Sequence, residues 1–182
     1  VISWLKDNVK LIDSPSETEE LAKKANPNDR TYFVPAFTGL GAPYWNSEAR
    51  GLLTGITRTT GKNEIVRACV DSIAYQITDL IRIMRRESGR IIDELHVDGG
   101  PTGNDYLMRF QSDMANLRVV IPEIQELSGM GAAFAAGISA GIYDEEKIFK
   151  GIKHSEYKPS MTDDKRERLY SGWKDAIKQT IG

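Results

Sequence analysis

Residues 95–113 read Leu-His-Val-Asp-Gly-Gly-Pro-Thr-Gly-Asn-Asp-Tyr-Leu-Met-Arg-Phe-Gln-Ser-Asp. The apolar run 95–97 predicts a strand that leads into two glycines, and Leu107, Phe110 and Met114 then fall on one face of a helix. This geometry suits a nucleotide, because glycine has no side chain to keep a ligand away from the backbone. The N–H groups at the helix start favour negative charge. The segment matches neither the Walker loop nor the dinucleotide fingerprint, so a purely structural turn remains an alternative.

A second stretch, residues 34–57, is rich in glycine and aromatic side chains. It reads Val-Pro-Ala-Phe-Thr-Gly-Leu-Gly-Ala-Pro-Tyr-Trp-Asn-Ser-Glu-Ala-Arg-Gly-Leu-Leu-Thr-Gly-Ile-Thr. Together with Asp98-Gly99-Gly100 and Phe110-Gln111-Ser112-Asp113, it closely resembles the C-terminal domain of the FGGY family of ATP-dependent sugar and polyol kinases. The run from Phe37 to Trp45 points to the glycerol kinases of that family. The turn Pro101-Thr102-Gly103 is more similar to the related sugar kinases, so the substrate is left open between glycerol and another polyol or sugar.

The resemblance covers the chain from about residue 1 to the C-terminal helix and implies a ribonuclease-H-like, actin-type ATPase fold. Alternating predicted strands and helices independently indicate an α/β fold with a partly parallel sheet. The family's C-terminal domain opens with several strands that have no counterpart here, and the chain begins with Val1 rather than methionine. We therefore expect residues 1–182 to be the C-terminal, nucleotide-side domain fragment of a longer kinase, a partial domain that lacks its first strands.

The resemblance also implies which residues bind the nucleotide. In the family the glycine pair and the asparagine of this loop line the ATP site, and they correspond to Gly99, Gly100 and Asn104. The alternative for Asn104 is a helix cap. Ser3 stands where glycerol kinases commonly place a glutamine that touches the nucleotide, and serine is too short to reach as far. Asp98 is interpreted as organising the loop through hydrogen bonds to backbone N–H groups.

By the same resemblance, the base that takes the proton from the substrate hydroxyl precedes this segment. No catalytic residue and no metal ligand is therefore assigned to the chain. The Mg²⁺ that accompanies ATP is expected to bind mainly through residues outside it. ATP or ADP and a small polyol or sugar are the expected ligands of the whole enzyme, which we expect to be a homo-oligomer.

Composition and charge narrow the possible function classes. The 182 residues carry a net charge of −2, which favours neither a nucleic-acid nor a membrane partner. No apolar run approaches the roughly 20 residues of a membrane-spanning helix. The single cysteine, Cys69, cannot form an internal disulfide, so a reducing cytoplasm is expected. His96 and His154 are far apart in the sequence and have no zinc-motif partners, so a zinc site is not predicted.

Periodicity and turn signals predict the individual elements. Ser16 and Glu19 form a capping-box signature for a short helix that ends near Lys24, and Gly89 is predicted to cap the longest helix. That helix is predicted to bury a stripe at steps of three and four, consisting of Ile65, Cys69, Ile73, Ile77, Leu80 and Met84. The remaining predicted elements are an opening helix that buries Val1, Leu5, Val9 and Ile12, strands at 32–36, 52–56 and 118–121, a helix at 129–141 and a last helix around 169–177.

Two further segments have a structural and a functional interpretation. Tyr44 and Trp45 are expected to pack on the domain core, the alternative being an aromatic wall beside a cleft. The small residues of the 129–141 helix are expected to allow close packing against a sheet or another helix rather than ligand contact. They are Gly131, Ala132, Ala133, Ala135, Ala136, Gly137 and Ala140.

Two function classes follow. In the first, the chain belongs to an ATP-dependent kinase that phosphorylates a primary hydroxyl of glycerol or a related sugar, and it supplies part of the nucleotide site. In the second, it is a non-catalytic, actin-like nucleotide-binding or assembly module, because fold alone does not determine function. The run from Phe37 to Trp45 favours the kinase.

Overall fold

The computed structural model describes residues 1–123, 127–144 and 153–182. Strands and helices alternate along most of the chain, as the α/β prediction requires. In chain order the elements are a π-helical turn Trp4–Asn8, α1 (Glu17–Lys24), β1 (Tyr32–Val34), β2 (Leu52–Thr54), α2 (Lys62–Ser88), β3 (Glu94–His96), a 3₁₀ turn Gly100–Gly103, α3 (Asp105–Ala115), β4 (Arg118–Pro122), α4 (Leu127–Ser139), β5 (His154–Tyr157) and α5 (Asp163–Ile181).

The strands form two small sheets. β1 and β2 pair antiparallel, with Phe33 opposite Leu53. β3 and β4 pair in parallel, with Leu95 opposite Val119, and β5 joins β4 antiparallel. The segment β3–α3–β4 is thus a strand–helix–strand unit, and the glycine turn lies where β3 passes into α3.

The core is organised around α2, whose 27 residues pack against α1, α3 and β1. Tyr75 of α2 stacks on Trp173 of α5 with ring centroids 5.2 Å apart, and it also contacts Phe110 of α3 edge-to-face at 5.5 Å and Tyr32 of β1 at 5.9 Å. Trp173 is fully buried. One aromatic cluster therefore joins three helices.

The predicted cap of α2 is confirmed, and its predicted buried stripe is right only in part, since Ile73 and Ile77 are half-buried against the core. Gly89 adopts the left-handed conformation with φ 62°, and its N–H donates to Arg85 O. Cys69 is fully buried, whereas Leu80 is 41% and Met84 57% exposed. The buried face of α2 is rotated from the predicted one and includes polar residues that accept or donate hydrogen bonds there. Its buried polar members are Glu64, Asp71, Ser72, Thr78 and Asp79.

The N-terminal predictions also need correction. The opening helix ends early, because Lys10 adopts φ 58°, and Val9 is exposed while Leu5 and Ile12 are buried. Ser16 has helical dihedrals and makes no side-chain cap. Glu17 supplies the capping carboxylate instead, since its Oε1 accepts hydrogen bonds from the backbone N–H groups of residues 13 and 14.

The alanine- and glycine-rich helix α4 makes its close contact with Tyr143, just beyond its own end, and not with the sheet or the second helix that the sequence predicts. Gly137 is buried, and a Cβ built there lies 2.1 Å from the ring of Tyr143. Ala132, Ala133 and Ala135 are exposed, so their small size serves no close contact with the described part of the chain. None of the helices within the described ranges combines the length and apolar character needed to cross a membrane.

Candidate functional site

The glycine turn is held by one threonine. Gly99 has φ 90° and ψ 178°, a conformation open to glycine and strained for other residues. Thr102 donates twice to the carbonyl oxygen of Gly99, from its N–H over 3.0 Å and from Oγ1 over 2.7 Å. Asp98 is exposed and makes no hydrogen bond to the described residues, so its predicted role in organising the loop is wrong.

The turn presents bare backbone to solvent. Gly99 and Gly100 are exposed, and a Cβ built at either position meets no atom within 4 Å. Gly100, unlike Gly99, does not have a positive φ. The fold therefore needs glycine at position 99 for its conformation, whereas it gives no reason for glycine at position 100. A ligand lying against the backbone would supply that reason.

Asn104 is the N-cap of α3. Its Oδ1 accepts a hydrogen bond from Leu107 N over 2.9 Å, and its Nδ2 donates to Thr18 Oγ1 over 3.0 Å. Asn104 therefore has the structural role of a helix cap, the alternative that the sequence leaves open. The side chain retains one donor hydrogen and one acceptor site, because an amide offers two of each.

The start of α3 is already occupied by a carboxylate of the chain. Glu19 Oε2 accepts a hydrogen bond from Asp105 N over 3.0 Å, and its Oε1 lies 2.5 Å from Lys23 Nζ. Asp105 itself pairs with Arg109, whose hydrogen bond is the main reason that the pKa of Asp105 lies below its usual range. The expectation that free N–H groups at this helix start attract an anion is therefore wrong for Asp105 and Leu107.

The loop at residues 37–50, here called the aromatic loop, holds Tyr44 half-buried and Trp45 exposed. Tyr44 donates to Asp79 Oδ2 over 2.7 Å and accepts from Lys174 Nζ over 2.9 Å, which confirms its packing on the core. The pKa of the Tyr44 hydroxyl is raised, mainly because the side chain is partly buried. Trp45 is 79% exposed and adopts φ 51°, so the same prediction is wrong for Trp45.

A separate cavity of about 390 Å³ lies among α1, α2, α3 and α5. Its wall includes Arg67, Asp71 and Tyr106, and the Tyr106 hydroxyl donates to Asp71 Oδ1 over 2.9 Å. Burial raises the pKa of Asp71 to about 7, against the opposing effects of Tyr106 and Arg67. The residues predicted to bind nucleotide do not line this cavity. Ser3 is exposed and makes no capping hydrogen bond.

The next feature is the distribution of residues with metal-binding side chains. Within the described ranges, His, Cys, Asp and Glu form no group of three or more that could hold a metal ion. The sheet brings the rings of His96 and His154 to a centroid distance of 6.3 Å, which their separation in the sequence concealed. Cys69 is buried, and burial raises the pKa of its thiol to about 12.

Comparison with known proteins gives the chain a family. The model of the C-terminal domain of the FGGY family of carbohydrate kinases matches residues 1–140. The glycerol kinase of Thermococcus onnurineus is 46% identical over 183 residues, and glycerol kinase 2 of Sulfolobus acidocaldarius is 48% identical over the same length. Each alignment covers 100% of this chain and 37% of the relative, so the chain spans little more than a third of those proteins.

A solved structure shows the same fold. The crystal structure of Plasmodium falciparum glycerol kinase with ADP superposes with a TM-score of 0.89 at 34% identity, over 100% of this chain and 36% of that one. The predicted α/β fold of the actin-type ATPases is therefore confirmed. This chain belongs to the FGGY family of carbohydrate kinases, with residues 1–140 corresponding to the family's C-terminal domain.

Proposed function

We propose that the enzyme containing this chain transfers the γ-phosphoryl group of ATP to a primary hydroxyl of glycerol or a related polyol. Residues 1–182 supply one side of the nucleotide site. The family match and the identity to glycerol kinases support this proposal. Such transfer depends mainly on positioning and on neutralising charge.

The observation that carries the proposal is the exposed backbone of Gly99 and Gly100. The fold leaves open space above both residues, and only Gly99 needs glycine for its own conformation. A nucleotide lying against this edge accounts for the second glycine. Asn104, at the end of the turn, offers its remaining donor and acceptor to the same ligand.

The hydrogen bonds at the start of α3 indicate which part of the nucleotide lies at the turn. The N–H groups of Leu107 and Asp105 already donate to Asn104 and Glu19, so they are not available to a phosphate. We therefore assign the uncharged part of the nucleotide to this turn, and we place most phosphate contacts elsewhere in the enzyme.

Other components come from outside the chain. As the family resemblance implies, the Mg²⁺ that neutralises the phosphates binds mainly through ATP and residues elsewhere. The base that accepts the substrate proton also lies elsewhere. We further propose that the enzyme is a cytoplasmic homo-oligomer.

A glycine replacement in the full-length enzyme tests the proposal. Gly100→Val should raise the KM for ATP at least about tenfold, the equivalent of about 1.4 kcal/mol of lost binding, and should leave the KM for glycerol within about twofold. Gly41→Val is the matched control, because Gly41 is also exposed with open space around its Cβ position but does not belong to the turn. A rise in the KM for glycerol with an unchanged KM for ATP would place the turn on the polyol side and overturn the proposal.

A further inference from the structure

We infer that Thr18 and Glu19 of α1 are positioning residues for the nucleotide turn, and this inference depends on the proposed function. Neither residue belongs to the turn or to α3. Thr18 contacts Asn104, the N-cap of α3, and Glu19 contacts Asp105, its first residue, each 86 positions further along the chain. Their role is to fix the turn where its backbone meets the nucleotide.

Thr18 acts through Asn104. Its side chain is 2% exposed, and its Oγ1 donates to Pro15 O over 2.7 Å. The same oxygen accepts the hydrogen bond from Asn104 Nδ2. The hydroxyl proton is thereby committed to Pro15, so Thr18 presents only an acceptor to Asn104. This arrangement fixes which end of the Asn104 amide points at α1 and which end caps α3.

Glu19 acts through the backbone of Asp105. A carboxylate that accepts from a backbone N–H at a helix start forms a strong, charge-assisted hydrogen bond. Lys23 neutralises Glu19 from one side and reaches Asp105 Oδ2 at 3.4 Å. Glu19 thus holds the first residue of α3 by its main chain, immediately after the turn.

These two contacts matter because the hydrogen bonds from Thr102 to Gly99 O hold the turn internally but do not attach it to the rest of the fold. Gly99, Gly100 and Gly103 are exposed and have no side chains to pack. α1, in contrast, is fixed to the start of α2, since Glu64 Oε1 accepts a hydrogen bond from Asn26 N over 2.9 Å. The core helix α2 therefore fixes the position of α1, and α1 in turn fixes the position of the nucleotide turn.

The test compares four variants of the full-length kinase with its wild type. Thr18→Val removes the hydroxyl while keeping the shape of the side chain, and Thr18→Ser restores it. Glu19→Ala removes the acceptor of Asp105 N–H. The matched control is Glu20→Ala, which loses the same charge from the same helix, because Glu20 pairs only with Lys24 on the surface.

We expect Thr18→Val and Glu19→Ala to raise the KM for ATP about three- to tenfold, as loss of one hydrogen bond predicts. The KM for glycerol should stay within about twofold, and Thr18→Ser and Glu20→Ala should behave as wild type. Equal rises in both KM values would show a general structural defect and overturn the inference. An unchanged KM for ATP overturns it alone if Gly100→Val still impairs ATP use. If Gly100→Val also has no effect, the proposed function fails with it.

Discussion

Asp79 of α2 accepts a hydrogen bond from the indole Nε1 of Trp173 in α5 over 2.8 Å, 94 residues further along the chain. The same carboxylate accepts from the hydroxyls of Tyr44 and Tyr170. Asp79 is 2% exposed, so these donors replace the water that a carboxylate requires. One side chain thereby joins the aromatic loop, the long helix and the C-terminal helix.

Replacing this carboxylate should be among the most destabilising polar changes in the chain. Asp79→Ala leaves two buried donors and the half-buried Tyr44 hydroxyl without this acceptor, and we expect it to lower the free energy of unfolding by about 3–5 kcal/mol. Glu87→Ala, a change at an exposed residue of the same helix, should cost less than about 0.5 kcal/mol. Urea unfolding followed by circular dichroism measures both. Similar values for the two variants would contradict the role given to Asp79.

Asp71 should make stability fall as pH rises through neutrality. Burial raises its pKa to about 7, well above the value of about 4 in an unfolded chain. The folded state therefore binds the additional proton between these values, and stability is lost as pH rises from about 4 to about 7. Asp71→Asn keeps an acceptor for Tyr106 and cannot ionise. We expect it to be more stable than wild type by about 2–4 kcal/mol at pH 8, with a smaller difference at pH 5.

The control for this pH experiment is Asp7→Asn, at a carboxylate that is largely exposed. Its stability should follow that of wild type at both pH values. A difference between Asp71→Asn and wild type that does not change between pH 5 and pH 8 would show that Asp71 does not titrate in this range.

Two substitutions at Asn104 should separate its contribution as the cap of α3 from the contribution of its contact with Thr18. Asn104→Ala loses both the cap of Leu107 N–H and the contact with Thr18, and we expect a cost of about 1–2 kcal/mol in unfolding free energy. Asn104→Asp keeps the cap acceptor but cannot donate to Thr18, so its cost should be smaller. Thermal unfolding of the two variants measures the difference. An equal loss in both would mean that the contact with Thr18, rather than the cap, accounts for the stability.

The 182-residue chain alone should show no kinase activity. By our proposal it lacks the substrate base, whose loss alone typically costs about 10²–10⁴-fold in rate. It also lacks the opposing side of the nucleotide site, so the dissociation constant for ADP should be roughly millimolar or weaker. A coupled assay with glycerol and calorimetric titration with ADP test the two points. Turnover above about 1 s⁻¹ would contradict the proposal that the base lies outside the chain.

The isolated chain should also self-associate. Several large apolar side chains are exposed, including Ile91 at 91%, Ile56 at 58% and Met84 at 57%. Contact between copies would remove such surface from water, which favours association. Light scattering over a range of concentrations should show a mass that rises with concentration. A constant monomer mass would refute this prediction, and Met84→Lys should lower the tendency if α2 contributes.

Local sequence signals predicted the elements well and their buried faces less well. Gly89 was found as a cap because a left-handed helix end has a strong residue preference. The buried face of α2 was misassigned because Asp71 and Asp79 look like surface residues in the sequence. Their partners Tyr106 and Trp173 are 35 and 94 residues away, and no local pattern reveals such pairs.

The candidate site was predicted in the same uneven way. Gly99 and Gly100 were identified by the family resemblance, and the fold adds only that the backbone there is open. Nothing in the sequence marks Thr18 as part of the site. The spacing of Ser16 and Glu19 predicts a capping box, whereas the Glu19 carboxylate in fact holds the start of α3. A residue that acts on a distant backbone N–H leaves no signature in spacing or periodicity.

The exposure of Trp45 gives the protein an intrinsic optical probe. The chain has three tryptophans in three environments: Trp45 is 79% exposed, Trp173 is fully buried, and Trp4 is stacked on Phe33 at 5.1 Å. An aqueous quencher such as iodide will therefore reach mainly Trp45. The emission that remains comes mainly from the interior and shifts to longer wavelength only when the core opens. Fluorescence alone can thus distinguish a rearrangement of the aromatic loop from unfolding of the domain.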